Sequence, residues 1–432
     1  MKLIRTYGRG AKQAERLLQQ IEARSGAATT RVEPAVKRII AAVRGRGDAA
    51  LRQYCARLDK LPASAPFLVS REEMQDAWAD TRVDLRKSLR MAAKNIRRFA
   101  QWQMPKSWTR KANGIELGQH CLPLQSVGCY IPGGRYPLPS TLLMTTIPAQ
   151  VAGIPRIVVV SPRAARETLA AAHLAGVQEF YRIGGAQAIA ALAYGTNSIP
   201  RVDKIVGPGN LYVTSAKKLV AFDCGIDMLA GPTEIVVASD NGDPQWIAAD
   251  LVAQAEHDPE ALAILVTNNE LLAQATIKEG ELQAASNPIA TRSLSKNGYV
   301  FLTQEKKETI TVTNRLAAEH LTIDTESDLS WVQHAGSIFI GAQTPQSMGD
   351  YISGPNHVLP TGRLARTRGG LSVHDFLRVV TTQNYSKAGL AQAGPHAARL
   401  AEAEGLVGHA ASVRIRTITS PVVGPRKSGA AR

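Results

Sequence analysis

Cysteine is scarce in this chain. Four residues in 432, Cys55, Cys121, Cys129 and Cys224, are scattered and form no CxxC pair. That fits a reducing cytoplasm and leaves nitrogen and oxygen as the main candidates to hold any metal. Aromatic side chains are only 5% of the residues, and no helix-turn-helix, zinc-finger or RNA-binding signature occurs. Long apolar runs are missing too: none approaches the ~20 residues of a membrane span. The N-terminal "MKLIRTYGRGAKQAERLL" has no apolar core and no cleavage site, so a cytoplasmic protein with no membrane or secretory role is expected. Acidic residues are outnumbered, 36 against 51 Lys and Arg, for a net charge of +15. Between Arg82 and Lys111 ten basic residues face one acid, Asp84. A nucleic-acid-binding protein could look like this; the plainer reading is a solvated basic helix. The closing "GPRKSGAAR" reads as a disordered basic tail.

What is present is the composition of a globular protein, 44% hydrophobic and 20% charged, on a chain long enough for two or three domains. The middle alternates buried-strand runs with amphipathic helices. "IPRIVVVSP", "VQEFYRIGG" and "RVDKIVGPG" read as strands, each followed by a helix such as "AQAIAALAYG". A second set follows with "TEIVVASD", "LAILVTNN", "YVFLTQ" and "GSIFIG". The alternation predicts an α/β protein with two parallel-sheet modules, each an incomplete doubly wound (Rossmann-like) domain. Residues 33–60 and 71–103 read as helices, and the pattern is helical again after Ser372.

Ligands of open parallel sheets bind at the carboxyl ends of strands. The glycine loops assigned there are "CYIPGGRYPLPST", "RIGGAQA", "VGPGNLYV" and "LAGPTEI". Backbone N–H groups at Gly184-Gly185 and Gly207-Pro208-Gly209 could hold a pyrophosphate. Neither loop is a full GxGxxG, because Tyr212 stands where the third glycine belongs, and tight strand-to-helix turns would look the same.

The second half carries histidine chemistry. In "LVAQAEHDPEA" a helix opened by Asp243-Pro244 places Gln254 and His257 on the arc of Trp246, Ile247 and Leu251. Glu319 precedes His320 in "AAEHLTI"; Asp350 and His357 lie in "GDYISGPNHVLPTG"; Glu404 and His409 lie in "LAEAEGLVGHA". A Gln oxygen, two His nitrogens and an Asp oxygen suit Zn²⁺. Each fragment alone reads equally as a satisfied polar group, and Glu319-His320 as a solvated loop. The other histidines, His120, His173, His334, His374 and His396, take the plain structural reading.

The ordered segments "YIPGG", "IGGAQAIAALAYGT", "VGPGN", "AGPTE", "QAEHDP", "EHL", "SGPNHVLPT" and "AEAEGL" resemble the histidinol dehydrogenase family over nearly the whole chain. The resemblance implies oxidation of L-histidinol to L-histidine with two NAD through an aldehyde-level intermediate, the closing step of histidine biosynthesis. It implies one zinc per subunit on Gln254, His257, Asp350 and His409. It assigns His320 as the base for the hydroxyl proton and Glu319 as the activator of water. Thr233, His357 and Glu404 join the zinc ligands and His320 around the substrate, and Tyr130, Gln187 and Asn210 contact NAD. It also implies a homodimer with shared active sites, whose exchanged arm places Glu404 and His409 in the partner's site. The corresponding layout is a helical segment at 1–24, a discontinuous first α/β domain at 25–129 and 234–371, a second at 130–233, and a helical arm at 372–432. Two departures from the family pattern stand out. Thr233 replaces a frequent serine, and Arg135 and Tyr136 make one glycine loop bulkier. Alternatives are a family-like enzyme acting on another small alcohol, such as sulfopropanediol, and a basic nucleic-acid-binding protein on this scaffold.

Overall fold

The computed structural model describes residues 1–133 and 136–417, with the backbone alone for 25–29. The bulky-loop residue Arg135 and the basic tail from 418 lie outside the described residues. The chain divides into two compact units, 1–104 with 123–376, and 105–122 with 377–432.

The first unit holds two parallel sheets. The six-stranded one runs Lys2–Arg5, Gly298–Leu302, Leu262–Thr267, Glu234–Ala238, His320–Ile323, Ser337–Ile340. The five-stranded one runs Glu179–Tyr181, Arg156–Val160, Ser126–Tyr130, Lys204–Val206, Gly225–Ile226. The central strands of the six-stranded sheet are mostly buried runs of Val, Ile, Leu and Ala, and Ser126–Tyr130 at the centre of the other is buried throughout, as expected where helices cover both faces. Helix starts follow from the sequence. Asp243 caps the helix Pro244–Ala255 by accepting the Gln245 N–H at 2.7 Å, with Pro244 in its first turn. Asn210, Asn269 and Asn287 cap three others in the same way.

The architecture is the expected α/β one, with local differences. Residues 1–24 are not wholly helical: Lys2–Arg5 is an edge strand paired with Gly298–Leu302. Ser126–Tyr130 is the central strand of the five-stranded sheet, so the 129/130 boundary cuts an element. The helix Arg24–Arg46 presents Val36, Ile39 and Val43 to Val158, Ile189 and Ile205 of that same sheet's core. Its apolar face thus joins the core of the five-stranded sheet, while Arg24 at its start donates to the Glu260 carbonyl at 2.7 Å. Each such side chain contributes ~1.5–3 kcal/mol on burial, and apolar periodicity says which face is buried but not against what. The basic helix Val83–Trp102 buries Leu89, Ala92, Ile96 and Ala100 and exposes Arg90, Lys94, Arg97 and Arg98, a solvated face. No helix among the described residues is long and apolar enough to cross a membrane.

The second unit begins differently from the helical arm expected after Ser372. Leu377–Tyr385 is a strand in a three-stranded sheet with Ile115–Pro123 and Trp108–Ala112, the last two antiparallel. Its run of Val, Thr and Tyr suits a strand, but only pairing with a segment some 260 residues earlier selects it. Helices Lys387–Ala403 and Val407–Thr417 then pack together, joined by a turn at Gly405 with φ +76°.

Candidate active site

The polar cluster lies at the amino ends of three adjacent strands, Glu234–Ala238, His320–Ile323 and Ser337–Ile340. The loop "LAGPTEI" follows the edge strand Gly225–Ile226 of the five-stranded sheet and enters Glu234–Ala238 here, so at this cluster it stands at a strand's amino end. Glu319 and His320 are 6% and 3% exposed, so they are not a solvated loop. The helix Lys306–Leu316 ends at Ala317 in left-handed conformation, and the chain turns at once into the strand that buries both.

A chain of hydrogen bonds links the group. Gln254 Nε2 donates to Thr233 Oγ1, and Thr233 donates to Glu319 Oε2. The Glu234 N–H donates to the same Glu319 oxygen at 2.9 Å. The Thr233 hydroxyl, expected to reach substrate, thus spends its proton on Glu319. Gln254 is 1% exposed, and its Oε1 has no hydrogen-bond partner. An orphaned buried acceptor is costly unless something positive meets it. His320 Nδ1 lies 3.2 Å from the Glu234 carbonyl, which can only accept. In the neutral ring this places the proton on Nδ1 and leaves the Nε2 lone pair, whereas in the charged ring Nε2–H faces Asp350 Oδ1 at 3.6 Å. Phe339 stacks on the imidazole with ring centroids 5.9 Å apart. His357 Nδ1 bonds to the Asp350 carbonyl at 2.7 Å, and its Nε2 meets Thr141 Oγ1 at 3.0 Å.

His257 departs from the expected helix face. The helix stops at Ala255, and His257 lies just beyond it, exposed, with Nδ1 3.0 Å from the Ala253 carbonyl. Asp-Pro at 258–259 disfavours continuing the helix. His257 still stands close enough for its positive form to act on Asp350.

Burial and charge pull the titrating groups apart. Burial lowers His320, but the carboxylates of Glu319 and Asp350 outweigh it and leave its pKa above the ordinary value. Burial holds Glu319 above the usual carboxylate range. Glu234 is pushed up to about 7, first by burial and then by the charge of Glu319. Asp350 also feels burial, yet its hydrogen bond and proximity to His320, with His357 and His257 behind, bring it below the usual aspartate. Burial lowers His357. Such divergence in one cluster is typical of functional sites. Glu234 and Thr141 were not singled out from sequence. Glu234 stood within "AGPTE", and Thr141 at the end of "CYIPGGRYPLPST".

The expected nucleotide contacts gather at the carboxyl end of the five-stranded sheet. Tyr130, at the end of the central strand, is 3% exposed, and its hydroxyl accepts the Gly185 N–H at 3.0 Å. Gln187 is fully buried. Its Nε2 donates to Asp59 Oδ2 at 3.0 Å, and its Oε1 has no hydrogen-bond partner. Asn210 is exposed, with Oδ1 accepting the Tyr212 N–H at 3.0 Å. Three of the four glycine amides offered for a pyrophosphate are already engaged: Gly184 with Asp59, Gly185 with Tyr130, Gly207 with Asp227. Beside this end, Asp59, Lys60, Arg163 and Arg182 line a cavity of about 190 Å³. Glu404 and His409 belong to the second unit, where both are exposed around the turn between its helices.

The family model for histidinol dehydrogenase matches residues 22–417. The chain is 46% identical over 397 residues to the histidinol dehydrogenase of Caulobacter vibrioides, covering 89% of this chain and 92% of that protein. It is 45% identical over 394 residues to that of Gluconobacter oxydans, covering 88% and 92%. Among solved structures, the histidinol dehydrogenase of Elizabethkingia anophelis superposes with a TM-score of 0.85 at 35% identity, covering 89% of this chain and 92% of that one. A match over so much of the length, in sequence and in fold, means that the chain belongs to the histidinol dehydrogenase family and is an oxidoreductase.

Proposed function

We propose that the protein oxidises L-histidinol to L-histidine in two successive NAD-linked steps, as the last reaction of histidine biosynthesis, at a zinc-containing site shared between two subunits. The observation that carries this reading is the buried Gln254–Thr233–Glu319 chain beside His320 and Asp350. The donor set fits zinc, because Gln254 Oε1 is buried without a partner and the nearby Asp350 carboxyl is held ionised. Among the described residues no three His, Cys, Asp or Glu side chains gather as a metal cluster. Gln254, His257 and Asp350 would hold the metal together with the partner subunit's His409.

Zinc at those ligands would supply a positive anchor for the substrate's nitrogens, and NAD held near Tyr130, Gln187 and Asn210 would supply the hydride acceptor. His320, with its free Nε2, removes the proton of the alcohol oxygen as hydride leaves carbon. Glu319 removes a proton from the water that adds at the aldehyde stage; burial, by raising its pKa, makes it a stronger base once ionised. Thr233 and the Glu234 N–H fix one oxygen of Glu319 and leave the other for that task. His357, neutral through burial, lines the substrate. The shared dimer is supported by the second unit, which exposes Leu117, Val379, Val380, Leu400, Val407 and Ile415. A small unit leaving so many large apolar side chains exposed is suited to covering by another chain.

Purified protein given L-histidinol should form two NADH per substrate consumed. Chelation should abolish turnover, and Zn²⁺ should restore it. One NADH per substrate, or full activity in protein shown metal-free by elemental analysis, would overturn this reading.

A further inference from the structure

The strand Lys204–Val206 runs into Gly207, where φ is +111°. A Cβ at this position would sit 2.2 Å from the Tyr130 carbonyl oxygen. The loop Gly207–Asn210 therefore starts pressed against the end of the neighbouring strand. Both polar groups of Gly207 are gripped by one ion pair. Asp227 Oδ2 accepts the Gly207 N–H at 2.7 Å, and Lys217 Nζ donates to the Gly207 carbonyl at 2.9 Å. Lys217 and Asp227 also bond to each other, and Asp227 Oδ1 accepts the Met228 N–H at 2.6 Å. Their side chains are 2% and 0% exposed.

Lys217 lies on the helix Leu211–Val220 that the loop opens, and Asp227 follows the edge strand Gly225–Ile226. Such a pair is weak as a device for stability, since apolar residues of equal volume often do as well. Apolar residues could not supply an acceptor and a donor to the same backbone unit. Nor is Lys217 placed like a phosphate-binding lysine, because its charge is already met by Asp227.

We propose that Lys217 and Asp227 are positioning residues for the dinucleotide. They hold Gly207 against Tyr130, so that Asn210 is presented in a fixed place, and they set cofactor affinity without touching the cofactor. This rests on the reading of the five-stranded sheet as the NAD side.

The test compares KM for NAD and for L-histidinol in Lys217→Met, in Lys217→Met/Asp227→Asn, and in Asn210→Ala as a direct-contact reference. The double variant avoids leaving a lone buried charge, so a folding defect in the single variant does not decide the matter. Both should raise the NAD KM about tenfold, equivalent to ~1.4 kcal/mol, with the L-histidinol KM within about twofold of the parent. In the unaltered protein without ligand, the Gly207 amide should exchange with solvent as slowly as those of the adjoining strand. The proposal is overturned by an unchanged NAD KM in a folded variant, by equal rises in both KM values, or by fast exchange at Gly207. If Asn210→Ala also leaves the NAD KM unchanged, the nucleotide-site reading has failed, and the pair's assigned role with it.

Discussion

Glu234 opens the central strand of the active-site sheet with its carboxyl pushed up to about 7 from an ordinary 4.5. Replacing it with glutamine keeps an oxygen for the Gly362 N–H, which Glu234 Oε1 accepts at 3.1 Å, and removes the ionisation. The unfolded chain loses this proton near pH 4.5, and the folded protein near pH 7. Between those values the folded state holds more protons, so stability falls as pH rises, and the full penalty is present above about pH 7. The gap between the two values corresponds to ~3 kcal/mol. Glu234 keeps some solvent exposure, and a neutral amide oxygen is a weaker acceptor than a carboxylate. The net gain of Glu234→Gln at pH 8 is therefore ~1–2 kcal/mol, or about 2 °C in Tm for a chain of this size. By pH 5 it should shrink to about a quarter of that, because the folded parent is by then itself protonated. Thermal unfolding of parent and variant at both pH values measures the difference. A variant that is no more stable at pH 8, or equally stabilised at both, would refute the burial argument.

If Glu319 and His320 have the proposed roles, their variants should separate by half-reaction. Glu319→Gln should impair oxidation of the separately supplied aldehyde more than that of the alcohol, whereas His320→Asn should slow the alcohol step. Normal aldehyde oxidation by Glu319→Gln would remove its assigned role. Site sharing can be read by mixing inactive His257→Asn and His409→Asn proteins under subunit exchange. About half of the dimers should be mixed, each with one intact site, returning about a quarter of the activity. No recovery, with exchange verified by mass spectrometry, would place His409 in its own chain's site.

Much of the site was legible because its residues sit in distinctive local contexts. Glycines that no other residue can replace mark the turns, as at Gly207 with its positive φ. Runs such as "RIVVV" and "LAILVT" are short and rich in β-branched residues, which favours a buried strand over a helix. The short strand beginning at His320 was harder. It has four residues, too few for a periodicity, and its identity depends on pairing with Glu234–Ala238 and Ser337–Ile340. Lys2–Arg5 and Leu377–Tyr385 were missed for the same reason: an edge strand is made by its partner.

The sequence alone determined the α/β class, the glycine turns and the helix caps, because each depends on neighbours a few positions away, and its family resemblance singled out the candidate polar residues. Only the tertiary structure decided that Thr233, Gln254, Glu319, His320, Asp350 and His357 meet at the amino ends of one sheet, while the glycine loops lie at the carboxyl end of another. It alone showed which hydrogen-bonding groups are already spent, such as the Thr233 hydroxyl and the Gly207 amide, and which are left open, such as Gln254 Oε1. The reason is physical: burial, pKa and hydrogen-bond satisfaction depend on every group within a few ångströms, and those groups come from segments up to some two hundred residues apart in the chain.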